Sequence, residues 1–282
     1  MSRPNVCMPA RADHAPRPCG SAGAPGFMLW EETMASFGVE GIRYFSHARA
    51  AGVSTAGDLT YTFNRANGID NKLRGAGHTR AFYWANTNCW ETDLRDSDKG
   101  GDDVHYADNV DLFWIETHGN HEADGRARLL YDTPRANWRT YSDQWQLGEN
   151  WNAEWVMAYS CETVDRDHVT ALWPIFARLH IYCGAWGNMY DGITTDECGE
   201  DVGHKLVHGD TVSHAWHDGV SDWWVDNHPI TVCVGDAKTW NNGAIRWDLS
   251  TLNRDHFWGH GNTEADIAPA QQACLLWYWT EG

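Results

Sequence analysis

Residues 110–120 read VDLFWIETHGN, a strongly apolar run that stops on Thr117, His118 and Gly119. Apolar and aromatic side chains at most of its first positions suit a strand covered on both faces. A second run of the same kind, WVMAYS at 155–160, stops on Cys161 and Glu162. Working outward, four more short runs appear: GIRYF at 41–45, RAFYWA at 80–85, HIYCGAW at 180–186 and ITVCV at 230–234. Helix-like stretches fall between several of them, at 66–73, 163–179, 201–208 and 211–224. Alternation of this kind predicts an α/β fold, a three-layer sandwich whose mostly parallel six-stranded sheet is flanked by helices. Reactive groups in such sheets sit at the carboxyl ends of the strands. His118 and Cys161 both occupy that position, 43 residues apart, about what one connecting segment requires.

The two residue types make a chemical pair. A free thiol titrates near ~8.5, so an imidazole is needed to hold it as thiolate or to take its proton during attack. The resulting oxyanion needs preorganised N–H donors, and Gly119 would let the main chain come close to a substrate.

These motifs resemble the caspase-like, or clan CD, cysteine peptidases, which include caspases, legumain, clostripain and gingipains. The phrases DLTYTFNRANG (58–68), TRAFYWANTNCWE (79–91), VDLFWIETHGN (110–120), WVMAYSCET (155–163) and DHFWGHG (255–261) are closer still to a bacterial family of uncharacterised caspase-like domains, DUF6345. That similarity runs from about Gly38 to the C-terminus. It implies a caspase-like six-stranded core and a cysteine endopeptidase or related acyl-transfer enzyme, a hydrolase acting on a peptide or protein. His118 would be the general base, Cys161 the nucleophile, and the Gly119 and Cys161 amides the oxyanion hole. No cofactor is required for that chemistry. The Q-A-C-R-G string of caspases is replaced by YSCET, so nothing points to cleavage after Asp. The same resemblance places a substrate pocket in the loop after the fifth strand, with Trp186 and Asp191 as its candidates. Asp191 would there meet a basic side chain.

Two other functional readings stand beside this one. A catalytically silent caspase-like module would bind a peptide or a partner protein. A zinc-dependent hydrolase would use the cluster His118, His121, Glu122 and Asp124, although its spacing fits no standard zinc motif. Asp96, Asp98, Asp102 and Asp103 gather hard oxygen ligands in the loop DSDKGGDD, a candidate structural calcium site. The glutamate that closes an EF-hand loop is replaced there by Ala107.

Composition narrows the partners. The 282 residues carry a net charge of −18, which disfavours nucleic acid and anionic membranes. No apolar run reaches the ~20 residues of a spanning helix, and no apolar leader is visible, so a cytoplasmic location is favoured. Residues 1–26, rich in Pro, Gly, Ala and Arg, read as a disordered lead. Residues 27–282 read as one domain, whose tail from about 235 wraps it. The eight cysteines include no CxxC and are expected to be reduced for the most part. Most of the 18 tryptophans are expected to fill the core.

Overall fold

Seven strands build the main sheet: β1 (Ser36–Gly41), β2 (Thr79–Ala85), β3 (Leu112–Glu116), β4 (Trp155–Tyr159), β5 (Ile181–Ala185), β6 (Pro229–Asp236) and β7 (Gln272–Trp279). They lie in the order β2-β1-β3-β4-β5-β6-β7. The computed structural model describes residues 8–9, 34–53, 56–134, 137–150, 152–221, 224–241, 244–245 and 250–281. Most of the expected N-terminal lead is therefore outside the described residues. Met8 and Pro9 pair antiparallel with Leu275 and Cys274, at the free edge of β7.

The first five strands run parallel, whereas β6 is antiparallel to both β5 and β7. The sheet is thus mixed and has seven strands, not the six expected. The seventh comes from the tail beyond residue 235, where Leu275, Leu276 and Trp277 are buried. Every residue of β3, β4 and β5 is buried, as the unbroken apolar runs require. The run at 41–45 is not a strand. The strand β1 precedes it, and the acid that interrupts its pattern, Glu40, is fully buried. Burial, then the neighbouring Asp93, push the Glu40 carboxyl well above its usual range.

One face of the sheet is covered by α2 (Thr62–Gly75), α3 (Cys198–Val207) and α4 (Val212–Val220). In α2 the buried positions Thr62, Arg65, Ala66, Ile69 and Leu73 follow the spacing of a single helical face. The opposite face carries only the short α1 (Ser46–Ala50), a series of 3-10 turns and a three-stranded sheet. The stretch 163–179, expected to be helical, forms a 3-10 segment over Val169–Ile175 that contains Pro174. The flanking layers are therefore unequal: helices on one side, irregular chain on the other. A last short helix, α5 (Thr251–Arg254), precedes β7.

Trp114, Trp145, Trp155 and Trp216 are fully buried and divide between the two cores, whereas Trp84, Trp138, Trp173, Trp186, Trp258 and Trp279 pack against them only partly buried and Trp224 is exposed. Six cysteines (Cys89, Cys161, Cys183, Cys198, Cys233 and Cys274) are free thiols. Cys7 and Cys19 lie outside the described residues. Among the described residues, no helix is long and apolar enough to cross a membrane.

Candidate functional site

The paired strands β3 and β4 set the site. Their parallel register matches Ile115 with Ala158 and Glu116 with Tyr159. The pairing ends there, and His118 and Cys161 each follow two residues later at the carboxyl edge of the sheet. Beyond β3 the chain turns at once into the small sheet, formed by Gly119–His121, Ala127–Leu130 and Arg139–Tyr141. Leu130 N–H donates to His118 O at 2.9 Å. Alternation along an antiparallel ladder then directs the Gly119 N–H away from its partner Leu129.

Gly119 is required by its surroundings. A Cβ there would collide with the carbonyl oxygen of Cys161 and approach Ser160 Cβ to 2.8 Å. The space left by the missing side chain is filled by the cysteine turn itself, not held open for a substrate. In that turn Glu162 adopts φ 49°, a left-handed conformation that costs a non-glycine residue about 1 kcal/mol or more. Its N–H donates to Gly187 O at 2.9 Å, and its carbonyl accepts from His121 Nδ1 at 3.1 Å. The turn is thereby fixed from both sides.

His118 Nε2 donates to the carbonyl of Gly57 at 2.8 Å, and its ring packs on Phe45 with centroids 4.6 Å apart. A carbonyl only accepts, so Nε2 carries the proton and the lone pair of the neutral ring is on Nδ1. Cys161 is half-buried. Its thiol donates to Met189 O at 3.4 Å, while Met189 N–H donates to the sulfur at 3.3 Å. Burial pushes this thiol above its ordinary range, against the opposing effect of the Met189 backbone. None of the hydrogen bonds of the described residues joins the thiol to His118. The Cys161 thiol is thus turned toward Met189.

Behind the pair lies a buried ion cluster. Arg65, from α2, donates through Nε and Nη2 to Glu116, through Nη2 to Asp191 at 2.8 Å and through Nη1 to Thr195 Oγ1 at 3.1 Å. Its guanidinium also stacks on the Tyr159 ring at 4.4 Å. Burial opposes its charge, but Glu116 and Asp191 outweigh that and hold the guanidinium above its usual value. Arg65 thus joins the last residues of β3 and β4 to the loop after β5. Asp191 also accepts from the Thr60 and Tyr61 amides, so both its oxygens are occupied within the chain. Trp186 caps β5, with Nε1 donating to Thr280 O at 3.1 Å. The Arg166 guanidinium lies over its ring at 3.6 Å and over Trp279 at 4.6 Å. A cavity of about 570 Å³ beside α4 is lined by none of His118, Gly119 or Cys161.

A family model described as "Domain of unknown function (DUF6345)" matches residues 39–281. The chain belongs to this family. No curated protein matches it. The DUF6345 domain thus takes in all seven strands except the start of β1, and the whole His118–Cys161 edge.

The remaining candidates sit apart from this edge. Asp96 caps the turn that follows it, accepting from Asp98 N–H at 2.8 Å, and meets Lys99 at 3.3 Å. Asp103 accepts from the Ser97 and Val104 amides, and Asp102 faces His105. Among the described residues, these four aspartates do not bring three ligand atoms within 4.8 Å of one another. Nor do His118 and His121, whose ring nitrogens bond to the carbonyls of Gly57 and Glu162. Asp124 is taken up by Arg126 at 2.8 Å.

Sequence reasoning missed the Gly57 carbonyl, the Met189 backbone and Arg65. The first two are main-chain groups with no residue signature. Arg65 had a signal: the carboxylate of Glu116 inside a strand buried on both faces demands a cation.

Proposed function

We propose that this DUF6345 domain is a cysteine peptidase-like acyl-transfer enzyme on a caspase-like sheet. Cys161 is its nucleophile and His118 its base. The reading is supported by one observation: His118 and Cys161 each follow two residues after the paired ends of β3 and β4, with Gly119 packed on the cysteine turn. The parallel run β2-β1-β3-β4-β5 closed by an antiparallel β6 supports the same reading.

For reaction, the Cys161 side chain leaves Met189 and gives its proton to His118 Nδ1. The sulfur then forms a bond to the scissile carbonyl carbon, and the carbonyl electron pair moves onto oxygen. Collapse expels the amine, which takes the proton back from the imidazolium. Water, or a second amine, releases the acyl group from sulfur by the reverse sequence. Gly57 O keeps the imidazole oriented and stabilises its positive form. The Gly119 and Cys161 amides are the donors proposed for the oxyanion.

The test is covalent labelling by an electrophilic peptide probe, followed by cleavage of a peptide library with and without calcium. Labelling should map to Cys161 and vanish in Cys161→Ala while the fold is kept. Unchanged labelling of that variant would overturn the assignment. A second reading has its own support, because the thiol is bonded to the Met189 backbone and burial pushes it above its ordinary range. A silent peptide-binding module would bind library peptides equally well as wild type and as Cys161→Ala, with cleavage by neither.

A further inference from the structure

At the amino edge of the sheet, opposite the cysteine, three ligand-type side chains converge. Glu154 immediately precedes β4, His180 immediately precedes β5, and Asp266 comes from the segment before β7. His180 Nε2 lies 2.9 Å from Glu154 Oε2 and 3.5 Å from Asp266 Oδ1. All three ligand atoms lie within 4.8 Å of one another, the sole such grouping among the described residues. The His180 side chain is only 3% exposed. Although 2.9 Å apart, His180 Nε2 and Glu154 Oε2 are not aligned for a good hydrogen bond, and both are buried.

The other ring nitrogen is fixed. Nδ1 donates to Asp255 Oδ2 at 3.1 Å. Asp255 is itself held by Trp155 Nε1–H at 2.6 Å and by Glu264 N–H at 2.7 Å. This is the carboxylate–imidazole arrangement that orients a metal-binding histidine and leaves the Nε2 lone pair to the ion. The backbone holds the ligand pair together, since His180 N–H donates to Glu154 O at 2.9 Å. Arg178 Nη1 stands 3.7 Å from Asp266 Oδ2, leaving Oδ1 toward the imidazole.

We propose that Glu154, His180 and Asp266 bind one divalent first-row transition ion of the Zn²⁺ class, with Asp255 positioning His180. One imidazole and two carboxylates balance a double charge and match the donor preferences of such ions, whereas calcium favours oxygen alone. The ion would tie the starts of β4 and β5 to the segment entering β7. Its role is structural and independent of the proposed cysteine chemistry.

Full-length protein stripped with a chelator, then titrated with Zn²⁺ and Co²⁺ by calorimetry and thermal unfolding, tests this. The expected result is one ion per chain and a raised Tm. Asp266→Asn, at a part-exposed position, should weaken Zn²⁺ binding at least roughly tenfold, as should His180→Gln if it folds. Cys161→Ala and His118→Ala should bind as wild type does. No saturable binding by the stripped protein, or binding unaffected by Asp266→Asn, would overturn the proposal.

Discussion

The carbonyl of Cys161 occupies the place that a side chain on Gly119 would need. The turn after β3 and the turn after β4 are consequently one packed unit. Gly119 does not have a positive φ, so it is contact and not backbone conformation that excludes a side chain there.

Gly119→Ala should therefore push the two turns apart. A loss of about 1–3 kcal/mol in denaturant unfolding is expected from overpacking. Probe labelling of Cys161 should fall further, by roughly tenfold or more, since catalytic geometry tolerates little displacement. Unaltered stability would show that the turns yield without strain.

Burial, which pushes the Cys161 thiol above its ordinary range, predicts a particular alkylation profile. With a Cys161→Ser background subtracted, the rate with a small alkylating agent should keep rising through the ordinary thiol range near ~8.5. A plateau below neutrality would mean that His118 already holds the sulfur as thiolate in the resting molecule.

Removing the cation behind the site should be costly. Arg65→Met leaves Glu116 and part of Asp191 buried without their partner, and about 3–5 kcal/mol should be lost. Adding Glu116→Gln should recover part of it, because the uncompensated buried charge is then gone. Chemical denaturation of the single and double variants provides the comparison.

The acidic turns predict a pH effect of definite sign. Burial, then the charges of Asp108 and Asp96, push Asp103 up to about 7. A carboxyl raised in the folded state binds protons that the unfolded chain has already released. Its contribution is fullest at low pH and is lost as pH rises from near 4 through 7. Wild type should therefore lose more stability between pH 5 and pH 8 than Asp103→Asn, by about 1 kcal/mol or more, since each tenfold difference in proton affinity is worth ~1.4 kcal/mol. Equal slopes in the two proteins would show that Asp103 ionises without cost.

Five of the seven strands were legible because β2 to β6 keep unbroken apolar or aromatic runs. β1 was displaced because Gly38 and Glu40 break its pattern, and only tertiary contact shows that Glu40 is a buried acid. β7, with QACLLWYW, resembles the runs that were read as strands, yet its place at the sheet edge depends on pairing with β6. His118 and Cys161 were visible as strand-end residues. Their restraints were not, since Gly57 and Met189 act through main-chain atoms that any residue would supply. The Glu154–His180–Asp266 grouping joins distant segments and has no local spacing to betray it.

The short segment 189–191 has a double hold on the cysteine edge. Met189 grips the thiol, and Asp191 anchors the Thr60 and Tyr61 amides of the loop whose Gly57 carbonyl orients the imidazole. Thiol and imidazole are thereby interlocked through a third party rather than through each other. Any displacement of 189–191, by a ligand or by mutation, changes the surroundings of both at once.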